Sequence, residues 1–97
     1  MFMLSSFHKQ TERRLNIAIG QVKGLKKMID EDKYCMDILT QSLAIQKSLS
    51  SLSKLVIENH ISEHVIPMLS SNDAEVQQKA ADELLKIYEI HNRRSKQ

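Results

Sequence analysis

Residues 34–66, YCMDILTQSLAIQKSLSSLSKLVIENHISEHVI, contain neither glycine nor proline. Ile38, Leu39, Ile45, Leu49, Leu52, Val56, Ile61 and Val65 recur through them at helical spacing, while Ser48, Ser50, Ser51 and Ser53 take much of the remaining surface. The pattern predicts one helix, from about Tyr34 to Ile66, that is longer than a small domain needs. Such a helix packs along a partner. Pro67 ends it or sits in its last turn.

Working outward, a first helix is expected from about Ser6 to Ile29. Leu15, Ala18, Val22, Leu25 and Ile29 form its apolar stripe. At about 100° per residue, Lys9, Arg13, Asn16, Gly20, Lys23 and Lys27 gather on the opposite side. Taken alone, this basic stripe, with a glycine in its middle, reads first as a solvated helix face. On the other flank, Ser70-Ser71-Asn72-Asp73 is a turn and helix start, with Asn72 and Glu75 at capping-box spacing. A third helix follows to about His91, burying Val76, Ala80, Leu84, Ile87 and Tyr88, with a frayed tail over 92–97. The fold class is all-α, in a single domain spanning 1–97.

Composition supports this. Glycine stands only at 20 and 24, and the aromatics are limited to Phe2, Phe7, Tyr34 and Tyr88. A hairpin-rich β fold is excluded, and the core must come from aliphatic side chains. A 97-residue chain is marginal alone, which favours oligomers. The net charge of +2 hides a local polarity. Before Asp30, six basic residues (Lys9, Arg13, Arg14, Lys23, Lys26, Lys27) face a single acid, Glu12. No segment reads as a signal peptide or a membrane span, and a lone Cys35 suits a reducing cytoplasm.

Chemistry concentrates at three residues. His60 and His64 stand four apart, so both imidazoles project from one helix face. Cys35 lies at the start of the same helix. At about 1.5 Å rise per residue it is about 37 Å from His60, too far for joint coordination. If the three act together, the thiolate must come from another subunit packed antiparallel, and a metal would bridge the dimer. A thiolate with two imidazoles suits Cu(I), Zn(II), Ni(II) or Co(II) rather than Mg or Ca. Alternatively, Cys35 is a small buried residue at a helix start and the histidine pair is incidental. Nothing resembles a nucleophile elbow, a phosphate loop or a catalytic carboxylate pair. A thiol hydrolase would need an oxyanion hole and a cleft that so small a helical chain does not offer. The chain is read as a non-enzyme with no small-molecule substrate and no membrane partner.

Three stretches carry a resemblance over nearly the whole chain: Arg14-Leu15 with Gly20-Gln21-Val22-Lys23-Gly24, then Asp32 to Gln41, then Asn59-His60-Ile61-Ser62-Glu63-His64-Val65. In these the sequence is similar to the copper-sensitive operon repressor family, which also contains nickel/cobalt sensors and formaldehyde-responsive repressors. The resemblance implies a three-helix protomer, paired as an antiparallel four-helix-bundle dimer and associated into a homotetramer. It implies Cys35 as thiolate ligand and His60 as histidine ligand. His64 stands where typical copper sensors carry a second cysteine and nickel/cobalt sensors carry histidine. Tyr34 and Glu83 match positions that hydrogen-bond around the histidine ligand, and Arg14 matches a basic DNA-binding residue. As plain surface residues, Tyr34 would cap a helix and Glu83 would be a solvated acid.

The chain also departs from the pattern. Ile17 and Ile19 replace residues often charged in relatives. Ser51 replaces a frequently basic one, with Lys47 and Lys54 as substitutes. Met3 stands near where nickel/cobalt sensors carry an additional histidine, and His8 lies about a turn further on. Met3 would favour Cu(I), whereas His8 would favour Ni(II), Co(II) or Zn(II). Phe2 should block removal of Met1, so the Pro-type amino terminus that the family links to formaldehyde sensing is not expected, which demotes the aldehyde reading. What the resemblance implies is a metal-responsive repressor. Its apo form binds operator DNA through Lys9, Arg13, Arg14, Lys23 and Lys27 and releases it on binding metal, Cu(I) favoured, to derepress metal efflux or chaperone genes. The alternatives are the same repressor tuned to Ni(II), Co(II) or Zn(II), and a helical oligomerisation module that binds no DNA.

Overall fold

The computed structural model describes residues 5–95. Helix α1 runs Ser5–Asp30 and α2 runs Cys35–His60. The helical path continues through a π-turn, Ile61–Val65, into a short α3, Ile66–Leu69. Helix α4 spans Ala74–Ser95. The described residues contain three long helices and no strand. By internal packing the chain comprises two compact units, Met1–Val56 and Ile57–Gln97.

In the first unit, α1 closes with a Schellman turn. Lys33 N–H donates to the Met28 carbonyl and Asp32 N–H to that of Ile29, with Asp32 at φ 53° in the left-handed region usually given to glycine. Asp is one of the few side chains that tolerate this conformation. The Tyr34 carbonyl then accepts from Asp37 and Ile38, so α2 starts directly after it. Helices α1 and α2 run antiparallel: Gln41 Nε2 donates to the Gln21 carbonyl at 3.0 Å, and Arg14 Nη1 approaches the Ser51 carbonyl at 3.5 Å. A Cβ on Gly24 would lie 3.5 Å from Gln41 Nε2, an ordinary contact with the end of that side chain. Ala18, Ile45 and Leu55 are buried.

In the second unit, α3, the π-turn and α4 pack together around Asn59, Val65 and Ala80. The capping residue of α4 is Asp73 rather than Asn72. Its carboxylate accepts from Glu75 N–H at 2.9 Å, and its carbonyl accepts the first intrahelical bond from Gln77. The helix continues past the expected end at His91 to Ser95. Residues 92–95 contain no breaker, and Arg93 suits a helix C-terminus.

The expected apolar stripes are only partly covered. Leu15, Val22 and Ile29 are 42–54% exposed, and Leu39, Leu49, Leu84 and Tyr88 are exposed as well. One chain supplies too few neighbours for faces of this length. On α4 only Ala80 of the expected set is buried outright.

Candidate metal centre

His60 is the last residue of α2, and His64 lies in the π-turn that follows. Their rings stack with centroids 5.1 Å apart and planes 27° from parallel. Glu83 reaches His60 from α4: its Oε2 is 2.9 Å from His60 Nε2. The His60 side chain is 19% exposed and Glu83 46%. An ionised carboxylate only accepts hydrogen bonds, so His60 Nε2 is the donor, and in the neutral ring Nδ1 then keeps a lone pair. That Nδ1 is buried and has no partner. A histidine whose far nitrogen is held by a carboxylate and whose near nitrogen is unused is the arrangement by which proteins orient a metal ligand.

Cys35 is the first residue of α2 and a free, exposed thiol. Tyr34, just before it, is 67% exposed. Among the described residues, no three or more His, Cys, Asp or Glu side chains are grouped to hold a metal ion. The chain by itself stacks His60 on His64 and sets Glu83 against His60. His8 is exposed on α1, with Nε2 3.5 Å from Glu12 Oε2. Met3 lies outside the described residues.

The basic side chains Lys9, Arg13, Lys23 and Lys27 are exposed on α1. Lys9, Glu12, Arg13, Asn16 and Ile17 line a shallow depression of about 500 Å³. Arg14 is also exposed, yet its guanidinium leans onto the α2 backbone at Ser51. Lys47 and Lys54 are exposed on the α2 face that carries Ser51.

Two features are not foreseen from the sequence. The first is the π-turn, whose signal is Pro67. Proline has no N–H for the Glu63 carbonyl four residues back, and its ring crowds that carbonyl. The second is Asn59, which is fully buried with neither amide atom partnered. Nothing in the local pattern marks that position, because burial of a polar residue is decided by tertiary packing.

A chain helical through its described residues, with a histidine pair of which one ring is held by a carboxylate and with an exposed basic helix, matches a known class. The sequence profile of the metal-sensitive transcriptional repressors covers residues 8–89, and the chain belongs to that family. The copper-sensing transcriptional repressor CsoR of Bacillus subtilis is 34% identical over 79 residues, 81% of this chain and 75% of that one. The transcriptional repressor RcnR of Citrobacter koseri is 37% identical over 71 residues, 69% of this chain and 79% of that one. The fold agrees: the crystal structure of the copper-sensing repressor CsoR with Cu(I) from Geobacillus thermodenitrificans superposes with a TM-score of 0.73 at 26% identity, over 91% of this chain and 92% of that one. No described helix is long and apolar enough to cross a membrane.

Proposed function

We propose that this metal-sensitive repressor is a cytoplasmic homo-oligomer that binds operator DNA when metal-free and releases it when Cys35, His60 and His64 hold a transition metal, Cu(I) in preference. The observation that carries the reading is the 2.9 Å contact between His60 and Glu83, which leaves a buried Nδ1 without a partner. The donor set fits such an ion, since two imidazoles and a thiolate match a soft or borderline metal. Cys35 opens α2 and His60 closes it, so the thiolate at a given pair of histidines belongs to a second chain. The exposed apolar faces of α1 and α2 supply the surface for that chain, as an antiparallel dimer that associates further into a tetramer.

When bound, the metal supplies a cross-link between two chains. The chain's own residues do the rest. Glu83 fixes the tautomer of His60 and ties it to α4, with Tyr34 placed beside Cys35 to join that network. Lys9, Arg13, Arg14, Lys23 and Lys27 engage phosphates. With no separate recognition helix, phosphate contacts and DNA shape carry the affinity. Coupling is reciprocal: DNA weakens metal binding by the factor by which metal weakens DNA binding. The regulated genes in this reading serve metal efflux or metal handling.

A second reading keeps the mechanism and changes the metal to Ni(II), Co(II) or Zn(II). It is favoured by His64, an imidazole rather than a second thiolate, and by the exposed His8 on α1. Coordination number separates the two, because Zn(II) takes about four ligands whereas Cys35, His60 and His64 supply three. Mixing subunits tests the shared site. Cys35→Ala and His60→Ala chains should each lack high-affinity binding and regain some intact sites as heterodimers. Verified subunit exchange without any recovered site contradicts the assignment.

A further inference from the structure

We propose that Pro67 is a positioning residue for the histidine pair: it imposes the π-turn between His60 and His64, and that turn sets the angle at which the two imidazoles meet a metal. The proposal rests on the reading of both histidines as ligands.

The turn has a local cause. Ile66 N–H donates to the Ile61 carbonyl, five residues back, instead of to Ser62. The next residue is Pro67, in the first turn of α3, which cannot donate to Glu63 and whose ring would clash with that carbonyl in a regular α-helix. Widening the turn just upstream is a recognised way for a helix to absorb such a residue. The widened stretch is pinned in place. Val65 within it is 1% exposed, and Asn59 just before it is fully buried.

The consequence falls on the ligand pair. In an α-helix four residues rotate through about 400°, leaving His64 about 40° past His60. In a wider turn the same four residues sweep through less, and the rings take a different mutual angle. The observed stack, 5.1 Å and 27°, belongs to that wider turn. Glu83 holds His60 from α4, and the turn carries the chain from His60 to His64, so it sets where the second ring lies relative to the first. Metals bind imidazole nitrogen and thiolate within narrow distance ranges and differ in preferred geometry. The turn therefore decides which metals the pair accepts, and Pro67 is the residue that makes the turn.

The test uses the full chain and its Pro67→Ala variant, which restores an N–H for Glu63. Through-hydrogen-bond couplings in the metal-free wild type should link Ile66 N to the Ile61 carbonyl. In the variant that coupling should move to Ser62. Co(II), used as a visible probe, should give a different ligand-field spectrum in the variant, and the Co(II)-to-Cu(I) affinity ratio should change about 10-fold or more, the scale for residues that support metal ligands. Absence of the Ile66–Ile61 coupling in wild type overturns the proposal without recourse to any variant. An unchanged spectrum and ratio in Pro67→Ala overturn it while leaving the ligands standing. If His60→Ala leaves the wild-type Co(II) spectrum unaltered, the ligand reading fails, and the proposal with it.

Discussion

His60 presents one nitrogen to Glu83 and buries the other with nothing to bond. Removing the carboxylate frees the ring to rotate and to change tautomer. Glu83→Ala should therefore weaken metal binding about 10- to 100-fold, measured by competition with a chelator of known affinity, while the helical circular dichroism is unchanged. Unaltered affinity would reduce Glu83 to a surface acid. Asn59 offers a second expectation at this scale. Its amide is wholly buried and unpaired, and each such group costs about 1–3 kcal/mol. Asn59→Leu, close in volume, should raise the urea midpoint at fixed protein concentration. A lower midpoint would show that the amide is satisfied, for instance by an internal water. The histidine pair is legible in the sequence because an i,i+4 step needs only a helix. Asn59 is not, since only tertiary packing decides that a polar residue is buried.

Among the elements, the three long helices are legible from apolar periodicity and from the scarcity of glycine and proline. What periodicity misses is local hydrogen bonding. The α4 cap is Asp73 and not the expected Asn72, because either residue can cap and only the backbone path decides. The turn after α1 carries no glycine signal, because Asp32 takes the left-handed position. Asp32→Gly should stabilise the chain by up to about 1 kcal/mol, read as a small rise in melting temperature; a fall would mean that the aspartate side chain contributes more than its backbone strain costs. Helix α1 carries the expectation about DNA. Lys9, Arg13, Lys23 and Lys27 are exposed, and the ion pairs among the described residues involve other side chains. Each of the four that binds a phosphate should, on mutation to Ala, lower the slope of log K against log salt by about 0.9. An unchanged slope in the quadruple variant, with the oligomer intact, would place the DNA surface elsewhere.

For the whole molecule, the chain belongs to the metal-sensitive repressor family and leaves large apolar faces open on α1 and α2; the proposed assembly would cover those faces and complete the metal site between chains. That completion is legible only through helix length, and a single chain does not display it. The central claim is that the site senses metal and is not part of the fold's foundation. A structural site behaves differently, because losing a ligand there costs folding itself. The direct measurement is operator binding by wild type and by Cys35→Ala, each with and without Cu(I), under strictly reducing conditions. Tight binding by both metal-free proteins, with Cu(I) releasing only the wild type, is the expected result. Unfolding of Cys35→Ala, or tighter operator binding by the wild type with Cu(I), would contradict it.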